Sequence, residues 1–374
     1  MIIRANISRP YNRSLFPGVD YGRLDEGAIR ARGLRAMTQY AREMYGRGGK
    51  LSDPRQGGSS PDSFKIEAAS IAFGTALNNR LKRPDVLHTR FAKMLRTNKL
   101  LNRELWLDNV PKMRLWEGDK VVSMLRGESL SIVTRPHEAS ITVPKGDIIN
   151  DELGLYTDKI NQLGDSYMWH LDELFIGMLI AGLQGTALGT TYDGQNLIDT
   201  DHTYLGNGTG PTYSNKVTGA FSATVFQSAW NLMMSMKDEN GLPIGGPGRQ
   251  MTLLHGPANR NAVRSVLVQE NIVGQTQTNL DKGMAIPECS PWITAGTTYN
   301  VFGQTITLTG LEWFLIPEGS TAVMIQIKRD PEFLAVDRGD DEYTFRTGKL
   351  LYGIESEDGA AYGMPQEIVG GPGA

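Results

Sequence analysis

Residues 147–185 read DIINDELGLYTDKINQLGDSYMWHLDELFIGMLIAGLQG, and the spacing of their apolar side chains decides how the rest of the chain is read. Leu153, Tyr156, Ile160, Leu163, Tyr167, Leu171, Leu174, Met178 and Ala181 recur in steps of three and four. That spacing places them on one face of an α-helix. A helix over 156–184 would be roughly 43 Å long at 1.5 Å per residue, well beyond the usual globular length. Asp147 or Asn150 can cap its start, Asp151 and Glu152 suit the positive end of its dipole, and Gly185, Gly189 and Gly194 stop it. Residues 171–183 are apolar on most sides, so other elements should bury them. The run is too short, and at Asp172 and Glu173 too charged, to span a bilayer. It is a strut with material on both sides, and it carries no obvious reacting group.

At 374 residues the chain is long enough for two or more lobes. The net charge of −3 conceals an asymmetry: residues 1–103 hold twenty Lys and Arg against eight acids, a net +12, so the remainder carries −15. A basic arm of this kind suits nucleic acid or the acidic body of another copy, although any single arginine is as well explained as a solvated helix surface. Cys289 is the only cysteine, so neither a disulfide framework nor a thiolate cluster forms within one chain, which fits a reducing compartment. The start, MIIRANISRPYNRS, lacks the apolar run of a signal peptide.

Outward from the strut the period changes several times. Residues 1–25 read as an extended arm and 46–63 as a Gly/Ser/Pro-rich linker, with amphipathic basic helices expected at 26–45, 64–82 and 86–101. From residue 105 strand-like runs follow at 120–124, 129–134 and 139–143, separated by turn signals at 117–119 and 126–128. Trp106, Met113 and Trp116 are large apolar groups in a segment too thin to bury them itself, so this hairpin wants a neighbour. Beyond the strut the pattern predicts a helix at 222–237 capped by Ser222 or Thr224, a strand at 249–255 and a helix at 257–268. Strands are then expected at 305–308, 312–316, 322–327, 343–346 and 350–356. The order is α+β, without the regular alternation of a parallel α/β sheet.

No P-loop, G-x-S-x-G, H-E-x-x-H, Rossmann or EF-hand pattern is present. The densest polar cluster is Asp193, Asp199, Asp201 and His202. Two carboxylates and an imidazole can ligate a metal, which would make a metal-dependent hydrolase the rival reading from another class. With no second histidine at ligand spacing, turn and side-chain-to-backbone hydrogen bonds in a loop explain them better. His255 reads as a satisfied, half-buried group at a strand end, and His170 as packing or reaching for solvent along the helix.

Taken together, several stretches resemble the Mu-like prophage major head subunit, the gpT family. They are Trp116-x-Gly118-Asp119 before a strand pair, Asp147 to Asp151 followed by Gly154-x-Tyr156 at the head of a helix containing Asp172-Glu173-Leu174, and Tyr192-Asp193-Gly194-Gln195 with Asp199-Thr200-Asp201-His202. A weaker match is the run DENGLPI at 238–244, then a strand at 251–254 and a helix from Pro257. The resemblance covers roughly residues 100–320; residues 1–99 do not match.

The resemblance implies the Hong Kong 97 capsid fold and a non-enzymatic, cofactor-free major capsid protein of a tailed bacteriophage. On it, residues 1–104 are an N-terminal arm region with basic helices and 105–143 an extended hairpin loop. Residues 144–187 are a peripheral domain with the spine helix, 188–318 an axial domain, and 319–374 the returning strands of the peripheral domain. The implied partners are copies of itself in hexamers and pentamers, packaged double-stranded DNA, a scaffold or protease, a portal and decoration proteins, with no membrane. The implied location is the virion, assembled in the host cytoplasm. Trp106, Met113, Trp116 and Lys120 become expected inter-subunit contacts. Arg30, Arg32, Arg35 and Arg42 become expected contacts with the lumen, DNA or a neighbour. An encapsulin-like cargo shell, sharing the fold, is the runner-up.

Overall fold

The helical spacing of the 147–185 stretch is realised as two helices, five residues from Lys145 to Ile149 and thirty-two from Leu153 to Gln184. The structure, a computed structural model, describes residues 86–99, 101–107, 127–149, 153–186, 188–204, 211–238, 241–244, 249–271, 278–337 and 341–373. The expected helices at 26–45 and 64–82 and the strand at 120–124 lie outside them.

In chain order the elements are α1 (Leu87–Phe91), β1 (Lys93–Arg96), β2 (Leu101–Leu107), β3 (Gly127–Val133), β4 (Arg135–Pro144), α2 (Lys145–Ile149) and α3 (Leu153–Gln184). Then come β5 (His202–Thr203), β6 (Thr212–Tyr213), α4 (Ala223–Ser235), β7 (Met251–His255), a 3-10 turn (Pro257–Asn259) and α5 (Arg260–Leu267). The chain finishes with β8 (Ile286–Cys289), β9 (Thr298–Val301), β10 (Gln304–Thr307), β11 (Trp313–Pro317), β12 (Val323–Val336), α6 (Glu342–Thr347), β13 (Lys349–Tyr362), a 3-10 turn (Pro365–Glu367) and β14 (Val369–Gly371). Strands order as β1-β12-β13-β4 and β14-β11-β7-β8, with two-stranded pairs β2-β3, β5-β6 and β9-β10. Among the described residues no helix is long and apolar enough to cross a membrane.

Two compact units share the chain. In the described part of the first, residues 138–166 and 331–355, β13 runs between β12 and β4. Phe333 stacks on Tyr352 at 6.0 Å between ring centroids, and the Lys145 N–H donates to the Gly348 carbonyl at 3.0 Å.

The second unit, residues 83–137, 167–330 and 356–374, holds the main core. The second half of α3 is sunk in it: Leu171, Leu174 to Ala181 and Leu183 are buried. Two glycines let neighbours reach the helix backbone. A Cβ built on Gly177 would lie 2.4 Å from Val301 Cγ2, and one on Gly182 would lie 2.6 Å from Leu197 Cβ. The Gly182 carbonyl accepts the Ile198 N–H at 3.1 Å. Beyond α3, Gly185 has φ of 73° and donates to the Ala181 carbonyl at 2.9 Å, the left-handed stop that glycine permits.

The sheet β14-β11-β7-β8 packs with α4 and α5 around Phe226, Met233, Leu253, Val263, Trp313 and Leu315. α4 begins at Ser222, whose hydroxyl accepts the Val225 N–H at 3.3 Å, the usual cap for an orphan donor.

Two expectations are corrected. The helix expected at 86–101 is one short helix followed by strands: β1 pairs in parallel with β12, Lys93 opposite Met324 and Arg96 opposite Ile327, and β2 begins at Leu101. The backbone groups of 93–96 complete the ladder of a buried strand, and this outweighs a helical side-chain period. The strand expected at 343–346 is instead helix α6. Asp341 stands at its N-cap position and Gly348, with φ of 65°, ends it in the left-handed region. The aromatic and β-branched residues that suggested a strand are not held by a sheet: Phe345 is 84% exposed.

Candidate functional site: the Asp193 loop and the His137, His170 and Asp358 cluster

The loop that follows α3 gathers the polar residues singled out in the sequence. Asp193 is its centre. One carboxylate oxygen accepts from the Thr191 hydroxyl and, at 3.2 Å, from the Gln195 N–H. The other accepts from the Thr203 N–H at 3.0 Å and meets His202 Nδ1 at 2.9 Å. Burial opposes ionisation of Asp193, but these hydrogen bonds, with the charge of His202, hold its pKa down to about 2. Asp199 accepts from the Thr200 N–H at 2.8 Å and from Asn196 at 3.0 Å, and Asp201 accepts from Gln195 at 3.2 Å.

Asn215, fully buried, ties the loop to the C-terminal segment. Its Nδ2 donates to the carbonyls of Leu197 at 2.7 Å and Pro365 at 2.8 Å, and its Oδ1 accepts the Asp199 N–H at 2.8 Å. The side chains of Asp193 and His202 have no exposure, and the His202 ring lies against Tyr213 at 5.2 Å. Asp193 is saturated by its own loop beside an inaccessible imidazole, whereas Asp199 is only partly buried and Asp201 is exposed.

The structure assembles a different constellation that the sequence did not suggest. His137 on β4, His170 on α3 and Asp358 on β13 converge within the second unit. His170 Nε2 is 3.0 Å from Asp358 Oδ1, and His137 Nδ1 is 3.2 Å from the same oxygen. The imidazole centroids are 4.2 Å apart. The Ser356 hydroxyl donates to Asp358 Oδ2 at 2.9 Å. Asp358 has no exposure, whereas the two imidazoles keep 29% and 28% of theirs. Burial opposes charge on Asp358, yet the two imidazoles outweigh it and hold its carboxyl well below the usual range. Separations of 33 and 188 residues carry no spacing signal, so pattern reading could not find the cluster; His170 pairs its Nε2 with Asp358 instead of only packing or reaching for solvent.

A second buried pair sits elsewhere on α3: Asp172 Oδ1 meets His88 Nδ1 at 2.8 Å and accepts the His88 N–H at 2.9 Å. His255 is more buried than expected, at 2% exposure, and its Nδ1 donates to the Gly256 carbonyl at 2.8 Å.

Of the expected contact residues, Trp106 lies in β2, its backbone opposite Glu128. β2 and β3 form an antiparallel hairpin whose arms are 101–107 and 127–133. Met113, Trp116 and Lys120, and Arg30, Arg32, Arg35 and Arg42, lie outside the described residues.

Comparison with known proteins places this geometry. The family profile described as "Phage capsid protein" matches residues 147–362, more than half of the chain. The chain belongs to the phage capsid protein family. A second profile, "Mu-like prophage major head subunit gpT", matches this capsid-family protein over residues 66–226; the family is the one its motifs resemble, but the match begins at 66, within the stretch 1–99 where the sequence showed none. It is 27% identical over 170 residues to the Mu-like prophage FluMu major head subunit of Haemophilus influenzae, covering 45% of this chain and 54% of that one. It is 26% identical over 285 residues to the major capsid protein of Escherichia phage Mu, covering 75% of this chain and 65% of that one. It thus spans less than two thirds of the length of either relative. Among solved structures, the capsid of the cyanophage P-SCSP1u aligns with a TM-score of 0.52 at 9% identity, over 77% of this chain and 88% of that one. The fold of this family member is therefore that of tailed-phage capsid proteins, the α+β Hong Kong 97 type. These likenesses favour neither the encapsulin reading nor the hydrolase reading.

Proposed function

We propose that this chain is the major head subunit of a tailed bacteriophage or prophage. Copies of it assemble into the hexamers and pentamers of an icosahedral shell around double-stranded DNA, in the virion, in a structural rather than catalytic role. Its membership of the phage capsid protein family across residues 147–362 carries this reading. Rings of identical subunits require head-to-tail contacts that close by rotation, and obligate interfaces of this type bury about 2,000–5,000 Å².

The contacts are assigned on the same reading. Trp106, Met113, Trp116 and Lys120 seat the hairpin on an adjacent copy. Arg30, Arg32, Arg35 and Arg42 face packaged DNA or the acidic surface of a neighbour, an interaction that weakens with salt. Portal, scaffold or protease, and decoration proteins are the partners such a shell requires.

Electron microscopy of the purified full chain tests the proposal. Closed shells with five- and six-fold rings are expected. A subunit that stays dispersed at every concentration and ionic strength would overturn it. Trp116→Ala should then reduce shell yield while the subunit remains folded.

A further inference from the structure

We propose that His137, His170 and Asp358 bind one divalent metal ion of the zinc type, which pins the start of β4, the second half of α3 and the end of β13 to one another. The proposal stands on side-chain geometry and does not depend on the capsid reading.

The ligand atoms are already close to where a metal would need them. All three lie within 4.8 Å of one another. With Zn–N and Zn–O bonds of about 2.0–2.2 Å, two ligands of a tetrahedral ion stand ~3.3 Å apart. The observed separations from Asp358 Oδ1 are 3.0 and 3.2 Å, close to that spacing, and the two imidazole nitrogens lie within 4.8 Å of each other, so side-chain shifts bring all three onto one ion. The donor set also selects the ion. Two imidazole nitrogens with one carboxylate oxygen suit zinc and its borderline neighbours, whereas calcium and magnesium prefer all-oxygen shells.

Three details favour a ligand over a plain charge pair. His137 Nδ1 is buried and stands 3.2 Å from Asp358 Oδ1 in an orientation too poor for a well-formed hydrogen bond; a metal between them would take up its lone pair. The Ser356 hydroxyl occupies Asp358 Oδ2, which orients the carboxylate so that Oδ1 faces both rings, the role an outer-shell partner plays in metal sites. The Tyr167 hydroxyl, three residues before His170 on α3, is likewise buried without a hydrogen-bond partner. Both imidazoles keep some exposure, which sets the cluster near solvent from which an ion can enter.

The test uses the full chain in the state in which it purifies, stripped with a chelator. Zn2+ is titrated by calorimetry, and bound metal is counted by elemental analysis. One zinc per chain is expected, with no comparable uptake of Mg2+. His137→Ala and His170→Gln should each weaken binding by at least the ~10–100-fold that loss of an outer-shell partner alone costs. Zinc should raise Tm of the unmodified protein and leave that of both variants unchanged. Should either variant lose its far-UV circular dichroism, the visible absorption of Co2+ added to the unmodified chain decides. A spectrum of a low-coordinate nitrogen/oxygen site supports the proposal, and one matching free aqueous Co2+ overturns it. Absence of stoichiometric zinc, or binding that survives both substitutions, overturns it as well.

Discussion

Asp172 Oδ1 holds His88 twice, meeting its Nδ1 at 2.8 Å and accepting its backbone N–H at 2.9 Å, with both residues almost fully buried. A single carboxylate oxygen on α3 thus anchors the start of α1, next to the strand that pairs in parallel with β12. Removing the carboxylate leaves two buried polar groups without their partner, the costly way to break such a contact. Asp172→Ala is expected to lower stability by about 3 kcal/mol, and Asp172→Asn, which keeps an acceptor, by clearly less. Denaturant unfolding of the variants checks this; equal losses would show that the contact acts through packing alone.

Gly182→Ala should destabilise, although alanine at a helical glycine ordinarily gains up to ~1 kcal/mol. The new methyl would meet Leu197 Cβ at 2.6 Å and Tyr362 Cε1 at 3.3 Å, and a Cβ cannot swing aside as a flexible side-chain end does. Overpacking of this kind costs about 1–3 kcal/mol, so the sign of the measured change separates close approach from helix propensity.

The Asp193 network sets an acid limit. A pKa lowered on folding to about 2 means that the stabilisation is fully present above the ordinary carboxylate value near 4. It is lost as pH falls through the folded value. Its size is roughly 2 kcal/mol. Stability followed from pH 5 to pH 2 should fall in the unmodified protein and fall less steeply in Asp193→Asn, which will be weaker throughout at neutral pH.

Phe345 is 84% exposed in the first unit, and Leu280, in the second, is 87% exposed; on the proposed role each is an apolar group that a neighbouring copy can cover. On the proposed shell-forming role, Phe345→Ser should raise the concentration needed for assembly by roughly tenfold, as loss of a well-placed interface anchor does. Subunit stability should stay within about 0.5 kcal/mol. Sedimentation velocity and thermal unfolding of the same variant separate the two effects.

How much of this was legible beforehand follows from the range of the interactions. The three-and-four spacing of Leu163, Tyr167, Leu171, Leu174 and Met178 is a local property, and α3 followed it to within a few residues at each end. Ser222 and Gly185 act on backbone groups within five residues, and both terminate their helices as read. The family likeness was legible for a related reason: runs such as YDGQ and DTDH close on one another within a single loop, so their order in the chain carries the contact.

Long-range contacts decided the rest. Residues 93–96 carry a basic amphipathic pattern that suits a helix, but the free edge of β12 supplies backbone partners more than 200 residues away. Residues 343–346 look like a strand, yet they form a helix that Gly348 ends in the left-handed region, with no sheet to join. His137, His170 and Asp358 stand on three elements, and only the packing of β4, α3 and β13 places their ligating atoms within 4.8 Å. Periodicity and capping act over a few residues and are written in the sequence; the meeting of distant side chains depends on how buried surfaces fit together, and that only the folded chain determines.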